Sequence, residues 1–454
     1  LTFNVMADID NTKIAKLGAG NINFAKGYTG SPIYTEIAII DIGDDSVGNQ
    51  IITSAGSSIT VQDGVTITGN FDNTSGITTG VINAEGDMTL TGDIGDTDAF
   101  SLFNVNADNK TISIGGNIDV ETFTFNGNVN STLYFAGIDK TFTGNIIAGG
   151  EGVAAGTLDA SDNNVTVNGN IGADGANILN IQIGSAGNAS SFSSSGNIYS
   201  NSITFGNAGS SLVLTAASPV VHGNIVASGS DYGVIDASAN GALIVGNVGD
   251  IEGNAIDGII IGAGKTVNIQ DGNVHTSSVT FNDTDSVFEL SGDVDTTIIV
   301  AQAINPATAL SQGSFTVGGA ADRTIKANFG TDANAFANFN LGGTGVNTFA
   351  LEKGAQYFTK LKFVGATSSA ATFAAGANVT NEVEFTAADQ VLTFGGDSTL
   401  TGGINFAAKA SLLVLDSSDK NSTFTGAIST TTNKTGALEI EGENLFTVAS
   451  TVGS

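Results

Sequence analysis

Apolar and polar positions alternate in short runs through most of the chain. Val165 and Val167 flank Thr166, and Asn168 and Ile171 follow. Ile112-Ser113-Ile114 and Val279-Thr280-Phe281 repeat the pattern, while Leu212-Val213-Leu214 is a short continuous apolar run. Period two in runs rich in Val, Ile, Thr and Phe predicts strands with one buried face. Between the runs stand Gly-Asn or Gly-Asp pairs, which let the chain turn without strain.

This punctuation is regular. Gly92-Asp93-Ile94 is followed by Gly116-Asn117-Ile118, Gly144-Asn145-Ile146, Gly169-Asn170-Ile171, Gly196-Asn197-Ile198, Gly223-Asn224-Ile225, Gly246-Asn247-Val248, Gly272-Asn273-Val274 and Gly292-Asp293-Val294. The steps are 24, 28, 25, 27, 27, 23, 26 and 20 residues. Gly20-Asn21-Ile22 and Gly69-Asn70-Phe71 read as earlier members. A longer unit encloses these. Gly80-Val81-Ile82-Asn83-Ala84 returns as Gly156-Thr157-Leu158-Asp159-Ala160 and as Gly233-Val234-Ile235-Asp236-Ala237, after 76 and then 77 residues. The long unit reads as three short ones.

A period of about 25 residues marks solenoids and arrays. One strand pair cannot bury its apolar face alone, but stacked coils build a continuous core. The expectation is an all-β chain forming an elongated parallel β-helix, or β-solenoid, with coils of about 25 residues in two segments. An antiparallel sandwich array is the competing reading, since Asn-Gly hairpins use similar turns. Sandwich strands would not need a coil-length period. At about 4.8 Å per coil, some 15 to 18 coils make a rod on the order of 80 Å.

Three segments follow. Residues 1–50 are the least regular and form an N-terminal cap or an interaction segment. Residues 51–300 form the regular solenoid. Ala301 to Leu310, with Asn305-Pro306, reads as a short helix or an irregular joint. Residues 301–454 form a second solenoid segment rich in Phe, with half of the 26 Phe residues in the last third of the chain. The opening Leu1-Thr2-Phe3 suggests a trimmed chain. Val452-Gly453-Ser454 ends in mid-pattern, as if more chain or another copy covers it.

Composition narrows the function. The net charge is −30, with a single arginine, Arg323. No basic patch exists to meet phosphates, so nucleic acid is excluded as a partner. No apolar run reaches membrane-helix length. The absence of cysteine removes disulfides and thiolate chemistry.

Candidate chemistry is sparse. Acidic residues follow the landmark in all three long units: Asp96 and Asp98, Asp174, then Asp250 and Glu252. They are expected on one flank, three coils apart, each able to hold Ca²⁺ with backbone carbonyls; a solvated acidic edge is the alternative. No other cofactor is required. His222 and His275 stand near landmarks and read as surface residues. The recurring Thr-Phe strand ends at Phe125, Phe205 and Phe281 read as core packing, with a carbohydrate-stacking platform as the alternative. No catalytic motif is apparent. The few cations Lys13, Lys16 and Lys26 lie near one end and Glu439, Glu441 and Glu443 near the other. Opposite charge at opposite ends favours head-to-tail contact between copies.

The Gly-Val-Ile-Asn-Ala unit, the Gly-Asn-Ile/Val landmarks and the Ile/Val-Thr-Phe strands together resemble the passenger domains of bacterial autotransporters. The nearest likeness is to rickettsial surface antigens of the outer-membrane protein B type, over roughly residues 50 to 430. That resemblance implies an extracellular chain on the bacterial cell surface, with roles in a surface layer and adhesion. The function expected first is a non-enzymatic structural protein that assembles with itself into a surface layer or filament. The alternatives are an adhesin passenger that binds a host receptor or glycan, and a polysaccharide-degrading β-helix.

Overall fold

The computed structural model describes residues 2–5 and 20–448, apart from 127–129, 151, 302–303, 307–312, 332–334, 343–347, 353–355, 365–368, 374–376, 396–397, 408–410, 417–420, 431–435 and 445. The described residues contain strands and turns and no helix. The chain forms two compact units, Leu1–Asn224 and Ile225–Ser454. Each is a parallel β-solenoid, and together they hold about 17 turns. The expected fold class is therefore borne out. Asn305–Pro306 is a two-residue strand beside Thr280-Phe281, where a helix or joint was expected.

In the first unit each coil contributes to three apolar columns. One column runs Ile59, Ile82, Phe103, Phe123, Ile146, Ile171, Ile198, each paired with the next. A second runs Phe71, Ile94, Ile118, Phe142, Val167. A third runs Ile112, Leu133, Leu158, Ile181, Ile203. All are buried. Each such side chain contributes on the order of 1.5–3 kcal/mol by leaving water. In the second unit Phe363, Phe385 and Phe406 stack in line, with ring centroids 5.3 and 4.9 Å apart.

The landmark residues form a ladder between coils. The side-chain oxygen of Asn49 accepts the backbone N–H of Asn70 at 2.9 Å, and Asn70 accepts that of Asp93 at 3.0 Å. Asp93 accepts from Asn117 at 2.6 Å, and Asn117 from Thr141 at 3.1 Å. There the ladder changes corner. Asn145 accepts from Asn170, Asn170 from Asn197, and Asn197 from Val220, at 3.0, 2.9 and 3.0 Å. The second unit repeats the device, with Asn247 accepting from Asn273 and Asn273 from Thr297, both at 2.8 Å. A corner N–H has no regular sheet partner, so a side chain from the coil below satisfies it.

This register corrects the expected division of the long unit. Successive ladder bonds of the first run join residues 21, 23 and 24 apart, so three coils fall short of 76 residues. The remainder carries the chain onto the next face. The Gly80 copy stacks between Ile59 and Phe103, whereas the Gly156 copy stacks between Leu133 and Ile181. Sequence-equivalent strands thus occupy different columns. Two landmarks are also reassigned. Ile22 belongs to the column of Ile40, Ile59 and Ile82, not to that of Phe71. Asp293 donates to Asp271 at 2.7 Å, while the Asn273 acceptor serves Thr297.

The landmark glycines have a cause other than turn freedom. A Cβ on Gly92 would lie 2.3 Å from the Gly69 carbonyl oxygen, and one on Gly169 would lie 1.9 Å from that of Gly144. Gly196 and Gly272 meet Gly169 and Gly246 in the same way, at 2.2 and 1.8 Å. Close approach of stacked corners, more than positive φ, excludes a side chain. Gly169→Val and Gly246→Val are expected to lower the melting temperature by at least about 4 °C, and a melt within a degree or two of the parent would contradict the corner geometry. Asn170→Ala leaves one corner N–H without its acceptor and is expected to cost about 1 kcal/mol, read as faster amide exchange at Asn197.

Candidate functional site

The three acidic turns share a local conformation. Gly95, Gly172 and Gly249 have φ of +71°, +68° and +72°, the left-handed region that glycine enters most easily. Each turn projects acids outward. Asp96 is exposed, and the carboxylate of half-buried Asp98 accepts the N–H of Gly76 at 2.7 Å. Asp174 is exposed in the turn after Gly172. In the second unit the Asp250 carboxylate accepts the N–H of Glu252 at 3.0 Å, and both residues are exposed.

These acids do not share a flank within the first unit. Asp96 and Asp98 follow Ile94, whose column contains Phe71, Ile118 and Phe142. Asp174 follows Ile171, whose column contains Phe123, Ile146 and Ile198. The third of a turn left over in the first long repeat moves the acidic turn to another corner. Among the described residues no group of three or more His, Asp or Glu is placed to hold a metal ion.

A groove of about 240 Å³ lies beside the first acidic turn, lined by Asp93, Asp96, Asp119, Asn117, Thr141 and Thr143 among others. Burial holds the Asp119 carboxyl above its ordinary value. The groove presents hydrogen-bond acceptors and hydroxyls over buried Ile94 and Ile118.

The residues expected at an assembly contact fall out as follows. Lys13 and Lys16 lie outside the described residues. Lys26 is exposed. Glu439, Glu441 and Glu443 are exposed, on and just beyond the strand Gly436–Glu441, where Ile440 is also 50% exposed. Other lysines are tied to neighbouring coils. Lys110 reaches Asp63 at 2.8 Å and Asp87 at 3.3 Å. Lys360 reaches Glu382 and Glu384 at 2.8 and 3.2 Å, and Lys362 reaches Glu384 at 3.2 Å. Exposed pairs of this kind add little stability.

Phe125, Phe205 and Phe281 are fully buried. They pack the core and cannot form a carbohydrate-stacking platform. His222 stacks on Tyr199 with ring centroids 5.8 Å apart, and the His275 ring meets the Asp250 carbonyl. Each histidine is thus engaged within its own unit.

Sequence reasoning missed the role of Arg323, which it treated only as evidence that basic patches are lacking. The side chain is 1% exposed and bonds backbone carbonyls. Its inward position is visible in the alternation Arg323, Ile325, Ala327, Phe329, all buried. A charged residue in an inward register was the available signal.

The geometry defines a class: a repetitive parallel β-solenoid whose polar groups chiefly serve coil stacking. Comparison with known proteins agrees with the resemblance read from the sequence. The chain is similar to Outer membrane protein A of Rickettsia rickettsii, with 27% identity over 412 residues. That alignment takes in 78% of this chain and 15% of the relative, so the chain spans only a small part of the length of the curated protein it matches. The relative carries the A designation, where the sequence likeness pointed to the B type. No family model matches the chain, and no solved structure matches it. No helix among the described residues is long and apolar enough to cross a membrane, which leaves open crossing by strands.

Proposed function

We propose that this chain is a non-enzymatic structural segment of a bacterial surface protein, and that copies of it associate into a layer or filament. The observation that carries the reading is the repeated outward acidic turn, set at two different corners of the first unit and present again in the second, on solenoids whose interiors are filled by side chains. Such a body offers many weak, repeated contacts and little convergent chemistry. The similarity to an outer membrane protein supports the cell surface as its location.

Two contacts follow from charge. The region around Glu439, Glu441 and Glu443, with exposed Ile440, suits the lysine-bearing N-terminal segment of a second copy, where Lys26 is exposed. A heterologous contact of that kind yields rows unless its rotation closes. Laterally, acidic corners repel one another. Ca²⁺ needs six to eight oxygens, more than Asp96 and Asp98, Asp174, or Asp250 and Glu252 offer at one turn. A divalent ion shared between turns of two copies would reverse the repulsion.

Electron microscopy and sedimentation of the purified chain test this reading. Ordered rows or sheets are expected, and deletion of residues 1–30 should leave a folded protein that no longer forms rows. Equal assembly by that truncation would remove the head-to-tail contact. Chelation with EDTA is expected to separate lateral sheets into single rows, and sheets that survive it would remove the cation bridge. A monodisperse protein that binds host cells would favour the adhesin reading instead.

A further inference from the structure

Arg323 is the sole arginine of the chain, and it is inside. Its strand, Arg323–Lys326, pairs with Thr296–Val300 on one side and Thr348–Leu351 on the other. One guanidinium nitrogen, Nη1, donates to the carbonyls of Val294 and Asp322 at 2.7 and 3.3 Å. The other, Nη2, donates to those of Ser291, Gly292 and Gly318 at 3.3, 3.0 and 3.3 Å. The Nε atom is buried, with no hydrogen-bond partner among the described residues. Among the described residues no salt bridge reaches this guanidinium, although four aspartates surround it.

A buried cation with no direct counter-ion depends on the field around it. Burial pushes the guanidinium below its ordinary value, and the carboxylates of Asp271, Asp295, Asp293 and Asp322 pull it back up. Three of these carboxylates also hold the corner. Asp271 accepts the N–H groups of Asp293 and Val294 at 2.7 and 3.2 Å. Asp295 accepts that of Asp322 at 3.0 Å, and Asp322 that of Thr348 at 2.8 Å. The other charges nearby are half-buried Glu289, on the strand Val287–Ser291, where burial holds its carboxyl above the ordinary value, and Lys326 and Glu352, which pair with each other at 3.4 Å and are half exposed.

We propose that Arg323 and its four aspartates form an acid-sensitive latch, so that the coils around residues 291–300 and 318–326 open first when the protein meets acid. The sign follows from the chemistry. Sufficient acid protonates a carboxylate and removes its charge, while a guanidinium stays charged. Acid therefore removes the field that offsets the burial of Arg323. It also weakens the carboxylate acceptors at the corner, because a charged acceptor bonds more strongly than a neutral one. Coils cornered by Asn145, Asn170 and Asn197 have neutral acceptors, and Asp174 is the one acid between residues 165 and 200.

Hydrogen exchange of the full chain, corrected for intrinsic rates, tests the latch at about pH 7 and about pH 4. Protection over residues 291–300 and 318–326 is expected to fall at least about tenfold more than over residues 165–200. In Arg323→Met the acid-specific excess should shrink, because no buried charge remains and only the weakened corner carboxylates contribute. In Asp295→Asn, which removes one charge at neutral pH, protection over residues 291–300 and 318–326 should already be reduced at pH 7. Uniform loss along the chain would overturn the latch, as would an unchanged acid-specific loss in Arg323→Met. If Arg323→Met fails to fold, Asp295→Asn decides, and parental protection at pH 7 overturns the proposal.

Discussion

Everything in this protein depends on how closely one coil corner lies over the next. Stacked strands sit about 4.8 Å apart. At the corners the backbone leaves the regular sheet, so its N–H groups need another acceptor. The landmark asparagine supplies it from the coil below, as Asn170 does for Asn197. The glycine beside it is needed for the same reason, since a Cβ on Gly196 would strike the Gly169 carbonyl. Gly-Asn is therefore one device with two halves: one residue yields space and the other bonds across it.

This device explains the tolerance of the fold for uneven coils. The ladder bonds cited span 21 to 27 residues, because turns can bulge outward without disturbing the corner. Where the chain has advanced too far, the ladder moves to another corner without missing an interface. Asn117 still bonds Thr141, and Asn145 begins the next run within the same coil. Outward features repeated in the sequence, such as the acidic turns, then face different directions. Repetition in this chain decorates the circumference of a solenoid, where a repeat of whole coils would build one continuous stripe.

Polar chemistry is mostly spent on stacking. Asp98, Asp271 and Asp322 all turn their carboxylates to backbone N–H groups, and Lys110 bridges two acids of successive coils. Arg323 is the exception in sign, a cation bound by carbonyls where the asparagine ladder has ended at Thr297.

The sequence by itself determined the fold class. Period-two strands, glycine punctuation and a coil-length spacing admit few other solutions, and Phe125, Phe205 and Phe281 were already read as core. It also marked Asn and Asp after glycine as structural. It did not reveal their partners, because a ladder bond joins residues a whole coil apart. The tertiary structure alone decided which corner each landmark occupies. That depends on the true coil length, which bulged turns conceal, and a small error accumulates over three coils into a third of a turn. For that reason the acidic turns were expected on one flank and are found at different corners. The place of Arg323 was likewise hidden: composition counts a charge, and only packing shows that it lies inside.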